Sequence, residues 1–320
     1  MSSPRIIRWL AAAALAAATC LAQAQDFPSR PLTLVAPYPP GSATDNDARP
    51  LALALQEILG QPVIVDNRAG AQGTIGADYV ARAKPDGYTV LIASTTMFAG
   101  TSLMKSLPYD PIKSFQPVSG IGSTSMMFLV RADSPIKTIN DLVEAAKTRK
   151  DPLNIGYGAA SAQVVLAMFT NASGGKVTPI SYKGTPQAIT DLTGGQIDAA
   201  IVDIGNGVAQ MNSGRLRALA ISAKARSAAA PNVPILAEVL PGAALETVIA
   251  VVAPAGTPAP IVEKLDRALR TALARPDVKT RWAATTTEVV PLSTGELEKL
   301  LATDLPRWHA LIKAAGIEAQ

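Results

Sequence analysis

Residues 32–49 read LTLVAPYPPGSATDNDAR, and they join an apolar strand to a polar helix start through a turn rich in Pro and Gly. This order puts free backbone N–H groups, at the N-terminus of a helix, beside the carboxyl end of a strand. α/β proteins bind small anions at such places, because the N–H groups point at the ligand and the helix dipole favours negative charge. The turn is therefore the first predicted binding site.

Short apolar runs alternate with helical patterns along nearly the whole chain. This alternation predicts an α/β fold with mainly parallel sheets and helices on both faces. The predicted strands are residues 32–36, 63–65, 89–93, 127–130, 153–155, 177–182, 199–202, 216–222 and 248–253.

Residues 1–24 have the pattern of a secretory signal peptide. Two arginines precede an apolar run over residues 10–21, and Ala22-Gln23-Ala24 supplies the small residues of a cleavage site. A membrane anchor is the alternative, but about 12 apolar residues are too few to span the hydrocarbon core. A lipid anchor on Cys20 lacks the leucine that usually stands three residues before such a cysteine. We expect a soluble periplasmic protein, cleaved near Ala24.

Composition excludes several classes of function. Removing residues 1–24 lowers the formal net charge from +4 to +2, and no run of Lys or Arg suggests a nucleic-acid or membrane partner. Cys20 is the only cysteine, so the mature chain has no disulfide and no thiol chemistry. His309 is the only histidine, so a catalytic triad or zinc site would depend on that single residue, which is expected at a solvated helix position. No metal or cofactor is predicted.

The length predicts two domains. Two segments have the composition of crossings between them, residues 116–124, which are rich in Gly and Ser, and residues 241–247. If both are hinges, the middle of the chain is a domain inserted into the first. The predicted organisation is a two-lobed clamp with a cleft, made of a signal peptide (1–24), lobe 1 (25–124), lobe 2 (125–248) and the C-terminal part of lobe 1 (249–320).

Many short motifs follow one another in an order that points to a known family. They are Pro28-Ser29-Arg30-Pro31, the turn PYPPGSATDNDAR, GQPVIVDNRAG at 60–70, GTIGA at 73–77, PDGYT at 85–89, LPYDP at 107–111, YKG at 182–184 and APAGTP at 253–258. Together they resemble the Bug, or tripartite tricarboxylate transporter, substrate-binding proteins. The likeness covers essentially the whole mature chain.

The resemblance implies a type 2 periplasmic-binding-protein fold, in which two α/β lobes joined by a hinge close on a small carboxylate-bearing ligand. It also implies a monomer that delivers this ligand to a permease of one large and one small integral subunit. The first lobe would hold the carboxylate and the second lobe would supply specificity. The ligand-binding positions implied are Tyr38, Pro40, Gly41, Ser42, Ala43, Thr44, Asp45, Ser94, Thr95, Thr96, Ala160, Ser161, Gln163 and Asp203.

The residues of the turn agree with this role. Gly41 lets the backbone approach a ligand closely, Ser42 and Thr44 supply hydroxyls, and the helix N–H groups aim at one point. An anion can thus be held although neither first-lobe loop contains Arg or Lys. The second-lobe loop 157–163 departs from the family, because it is shorter and carries Gln163 where His is frequent. This departure leaves the identity of the ligand open.

Asp203 has two possible roles. A carboxylate beside a carboxylate ligand is repulsive unless it faces an ammonium or hydroxyl group. Alternatively, backbone N–H groups satisfy it and the residue is structural. Both roles remain open at this stage.

Two rival functions come from other classes. One is a secreted α/β hydrolase using Ser94 or Ser161, which lacks a G-x-S-x-G motif and would have only His309 as its base. The other is a ligand sensor that docks on a signalling protein. A solute receptor that performs no chemistry is the predicted function.

Overall fold

The computed structural model describes residues 27–98, 106–284 and 287–314. The predicted signal peptide lies outside these residues. Within them, no helix is both long enough and apolar enough to cross a membrane.

The described residues form ten strands and ten helices, together with two short 3₁₀ turns. The strands are β1 (Leu32–Ala36), β2 (Val63–Asn67), β3 (Thr89–Ser94), β4 (Phe115–Arg131), β5 (Leu153–Tyr157), β6 (Val177–Ser181), β7 (Ala199–Asp203), β8 (Leu216–Ile221), β9 (Glu246–Pro254) and β10 (Glu288–Leu292). The helices are α1 (Ala43–Leu59), α2 (Thr74–Ala81), α3 (Thr95–Phe98), α4 (Ile139–Thr148), α5 (Ala160–Ser173), α6 (Thr185–Thr193), α7 (Ile204–Asn212), α8 (Ala259–Ala274), α9 (Pro276–Ala284) and α10 (Thr294–Ala314).

One long strand, β4, belongs to two sheets. The strand order is β2-β1-β3-β9-β4-β7-β5-β6, with β8 and β10 also paired to β4. Residues 115–125 of β4 pair with β9, and residues 126–131 pair with β7 and β8. We call β1, β2, β3, β9, β10 and the first part of β4 the first sheet. The second sheet contains β5, β6, β7, β8 and the second part of β4.

In each sheet the pairings away from β4 and β9 are parallel, and the pairings of β4 and β9 with their neighbours, where the chain passes from one sheet to the other, are antiparallel. β1 runs parallel to β2 and β3, and β5 runs parallel to β6 and β7. Every pairing of β4 and β9 is antiparallel, so the expectation of mainly parallel sheets is wrong there. The reason is topological: β4 carries the chain from the first sheet to the second, and β9 runs beside it in the opposite direction.

Two strand segments were missed by the sequence pattern. Residues 115–125, which include the crossing expected at 116–124, form strand, and β10 pairs with them. A Cβ on Gly120 would lie 2.7 Å from Leu292 Cβ, and one on Gly122 would lie 2.8 Å from the carbonyl oxygen of Glu288. The glycines therefore serve close strand packing, which an apolar-alternation rule does not detect.

Each sheet has its own hydrophobic core, and α10 contributes to both. Leu297, Leu301 and Leu305 pack with residues of the first sheet. Trp308 and Ile312, on the following turns, pack with residues of the second sheet. The C-terminal helix, expected to complete lobe 1 only, thus spans both cores.

Candidate functional site

A cavity of about 50 Å³ lies where the two sheets meet. By this measure one water molecule needs about 10–15 Å³, so the cavity has the size of a small molecule. The residues that line it are Tyr38, Ser42, Ala43, Thr44, Ser94, Thr124, Met126, Gly158, Ala159, Ser161, Ala162, Thr185, Asp203, Thr247 and Ile249.

The N-terminus of α1 forms one wall of the cavity. Ser42 is the N-cap, and its hydroxyl accepts a hydrogen bond from the Asp45 N–H at 3.4 Å. The N–H groups of Ala43 and Thr44 donate to no other group in the described part of the chain. Two donors at the positive end of a 17-residue helix are therefore available to an anion.

The N-terminus of α5 also lines the cavity. Its N-cap, Ala159, has no side chain that could cap the helix. The N–H groups of Ser161 and Ala162 have no hydrogen-bond acceptor among the residues that the structure describes. The two sheets thus each present a helix N-terminus with two free N–H groups to the same cavity.

Among the described residues that line the cavity, Asp203 alone carries a formal charge. It caps α7: its Oδ1 accepts from the Asn206 N–H at 3.0 Å, and both carboxylate oxygens accept from Asn206 Nδ2 at 3.0–3.1 Å. The same Nδ2 lies 3.3 Å from the carbonyl oxygen of Gly41, to which it donates across the cleft. Asp203 is therefore satisfied by its own helix and belongs to a contact between the two sheets.

Three known structures share this architecture. The periplasmic binding protein BugD superposes with a TM-score of 0.88 at 33% identity, covering 92% of this chain and 100% of BugD. MatC from Rhodopseudomonas palustris with bound malate gives 0.85 at 31% identity, covering 89% of this chain and 100% of MatC. An R. palustris protein with adipate gives 0.88 at 29% identity, covering 92% and 100%.

Sequence comparison places the chain in a family. Protein BugT of Bordetella pertussis is 35% identical over 298 residues, which cover 92% of this chain and 91% of BugT. The family model described as "Tripartite tricarboxylate transporter family receptor" matches residues 48–317. The chain belongs to this receptor family. The resemblance given by the motifs is confirmed, and so is the two-lobed periplasmic-binding-protein fold.

In this receptor the carboxylate of Asp45 stabilises the turn before α1. Its Oδ2 accepts from the Gly41 N–H at 2.9 Å and from Arg49 Nε at 3.0 Å, and its Oδ1 accepts from Arg49 Nη2 at 2.8 Å and Asn67 Nδ2 at 3.0 Å. Burial raises the pKa of Asp45, but these hydrogen bonds outweigh it and hold the pKa below the usual value. Asp45 does not line the cavity, and the N–H of Gly41 is used by Asp45.

Tyr38 joins the two lobes at one end of the cavity. Its hydroxyl donates to the carbonyl oxygen of Gln72 at 3.1 Å. Burial raises the pKa of this hydroxyl, and the backbone N–H of Ala160 on the second lobe acts in the opposite direction. Tyr38 therefore stays protonated and can offer its hydroxyl only as a neutral group.

The remaining predicted positions divide into two groups. Ser94 and Ser161 line the cavity, as expected, and Ser161 Oγ donates to Met126 Sδ at 3.6 Å. Thr95 is buried and accepts from the Val248 N–H at 3.3 Å, so it braces β9. The positions that do not line the cavity are Pro40, Gly41, Asp45, Thr95, Ala160 and Gln163. The side chain of Thr96 lies outside the described residues.

Several cavity residues were missed by the motifs. Thr124 and Thr247 lie opposite each other in the pairing of β4 with β9, where the chain crosses between the lobes. The two segments predicted to cross between the domains end at these two residues. No other sequence feature indicated that they belong to the cavity. Met126, Thr185 and Ile249 were missed as well, and Gly158, Ala159 and Ala162 line the cavity from the second-lobe loop 157–163 without having been among the predicted positions.

Proposed function

We propose that this protein is an extracytoplasmic solute receptor that binds a small carboxylate-bearing ligand and delivers it to a permease of one large and one small integral subunit. It performs no chemistry of its own. The observation that carries this proposal is the pair of helix N-termini, α1 and α5, which face one cavity with unpaired N–H groups. The malate and adipate in the related structures support a carboxylate ligand.

The pair of helix ends favours a ligand with two acidic groups. A helix N-terminus acts as roughly half a positive charge, and the cavity lining contains no Lys, Arg or His. One carboxylate at each helix end lets the ligand bridge the lobes and stabilise their closed arrangement. Asp203 keeps its negative charge, although the N–H and the side-chain amide of Asn206 hold its oxygens, so the carboxylates of the ligand are expected at the helix ends of α1 and α5 and not beside Asp203.

The organisation expected from the sequence is part of the proposal. Residues 1–24 are a signal peptide removed near Ala24, and the mature receptor acts as a periplasmic monomer. Lobe 1 comprises residues 25–124 and 249–320, and lobe 2 comprises residues 125–248. The last turns of α10 belong to lobe 1 by sequence but pack on the core of lobe 2.

The rival functions have weaker support. A hydrolase using Ser161 would need a base beside the hydroxyl, but this hydroxyl donates to Met126, and His309 lies exposed on α10. A sensor would use the same cavity and differ only in its partner. Co-purification from membranes that contain the permease separates a transport receptor from a sensor.

Titration calorimetry with malate and its two monoamides tests the carboxylate site. We expect malate to bind, and each monoamide to bind at least about 10-fold more weakly, because a hydrogen bond to a charged group is worth about 1.5–3 kcal/mol. Thr44→Ala, in the wall formed by α1, should weaken malate by about 1–3 kcal/mol. Thr178→Ala, on an exposed strand position, is the matched control and should change nothing. Equal binding of malate and its amides would rule out the anion site.

A further inference from the structure

Thr247 has a buried hydroxyl without a partner. The residue is 1% exposed, it lines the cavity, and its Oγ1 makes no hydrogen bond within the described residues. A buried hydroxyl that lost its water without gaining a protein partner costs free energy, so such groups are rare and need a reason.

The neighbouring threonine shows that this is particular to Thr247. Thr95 is equally buried at 1% exposure, but its hydroxyl accepts from the N–H of Val248, the residue that follows Thr247. Both hydroxyls thus lie near the start of β9, and only one has a structural role. Rotation about χ1 exchanges the methyl and hydroxyl of a threonine, so the Thr247 hydroxyl can be presented to the cavity.

The position of Thr247 is central to the site. β9 and β4 run between the lobes, and their residues line the same cavity as the N-termini of α1 and α5. A ligand with a carboxylate at each helix end therefore extends from one lobe to the other within the cavity that Thr247 lines. Thr124, opposite Thr247 on β4, carries the other hydroxyl at the crossing, and Met126 and Ile249 contribute apolar surface.

We propose that Thr247 recognises a polar substituent on the carbon chain of the ligand, so that the receptor selects short dicarboxylates carrying a hydroxyl, oxo or amino group over unsubstituted ones. This inference rests on the proposed function. A threonine hydroxyl both donates and accepts, so it can pair with each of these three groups. An unsubstituted chain leaves it unpaired, which is how a polar site rejects an analogue that lacks the matching group.

The experiment compares Thr247→Val with the wild type in calorimetric titrations of succinate, malate, oxaloacetate and aspartate. Valine has nearly the shape of threonine and no hydroxyl. The wild type should bind at least one substituted acid about 5- to 10-fold more tightly than succinate. Thr247→Val should lose that preference and bind succinate as well as the wild type does or better. Thr178→Val, on an exposed strand position, is the control and should keep the preference.

Each outcome decides between the two proposals. If all four acids bind and Thr247→Val leaves the preference intact, or weakens every acid alike, the role of Thr247 is wrong and the receptor function stands. If no dicarboxylate binds the wild type, the role of Thr247 and the preference for two acidic groups both fail. Thr247→Ser, which keeps the hydroxyl, should keep the preference and covers the case in which the valine variant misfolds. The melting temperature of ligand-free Thr247→Val should not fall, because no protein partner is lost.

Discussion

Asp45 holds the turn before α1 in shape without lining the cavity. Its carboxylate is 3% exposed and receives hydrogen bonds from Gly41, Arg49 and Asn67. Asp45→Asn removes the charge from this network, so we expect a loss of about 2 kcal/mol in the free energy of unfolding at pH 7. Chemical denaturation of the two proteins measures it.

The same carboxylate predicts a pH dependence. Because the folded pKa of Asp45 lies below the ordinary value of 3.8, its contribution is complete above about pH 4 and disappears as the pH falls through the lowered pKa. The difference between wild type and Asp45→Asn should therefore vanish in acid. Asp78→Asn is the control, since Asp78 and Arg82 form an exposed pair of the same i,i+4 spacing, worth less than about 0.5 kcal/mol. A loss for Asp78→Asn as large as that for Asp45→Asn would contradict the argument.

Helix α10 packs on the hydrophobic cores of both lobes. Leu305 packs with the first lobe and Trp308 with the second, and Pro306 stands between them inside the helix. A proline removes one helical hydrogen bond, so the helix can bend at this point with little further loss. Movement of the lobes should therefore change the surroundings of Trp308.

Tryptophan fluorescence tests this role of α10. The chain has three tryptophans, and Trp9 leaves with the predicted signal peptide. Trp282 is fully buried in the first core and donates its indole N–H to the Asp47 carbonyl oxygen, so closure should not affect it. We expect malate to change the emission of the wild type and of Trp282→Phe, and not that of Trp308→Phe. A malate response that survives in Trp308→Phe would show that α10 does not sense closure.

The lobes of the molecule touch directly at several places. Asn206 donates to the Gly41 carbonyl oxygen, and Gln72 Nε2 donates to Ser181 Oγ at 3.3 Å. Gly184 lies so near Pro39 that an added Cβ would be 2.5 Å from Pro39 Cγ. These contacts join residues of different lobes, so they form only when the cleft is closed.

Gly184→Ala should keep the cleft from closing. The backbone of Gly184 is extended, with φ −177°, so alanine is tolerated there and only the contact with Pro39 is lost. We expect malate affinity to fall about 10-fold or more, with the stability of the ligand-free protein unchanged. Small-angle scattering should show a smaller radius of gyration with malate for the wild type and no such change for Gly184→Ala. Gly295→Ala, where a Cβ meets nothing within 4 Å, should close normally. Closure of Gly184→Ala to the wild-type radius would refute this account of the cleft.

Local sequence alone was enough to locate most of the secondary structure. Each of the nine predicted strands overlaps an observed strand, and a capping box of Thr138 and Asp141 begins α4. These features depend on side-chain alternation and on hydrogen bonds between residues three apart, which are local properties of the chain. The motifs likewise identified the family, because each motif is a short contiguous stretch that can be recognised without the structure.

The tertiary structure decided which residues of these segments line the cavity. Thr124 and Thr247 are far apart in sequence and become neighbours only because β4 and β9 pair at the crossing. Asp45 and Thr95 belong to the predicted binding loops, yet their side chains turn to structural partners, since a buried polar group takes the nearest available hydrogen bond. Residue type and spacing therefore determined the strands, the caps and the helix N-termini. Which polar atoms stayed unpaired beside the cavity depended on packing between distant segments, and local pattern contains no information about it.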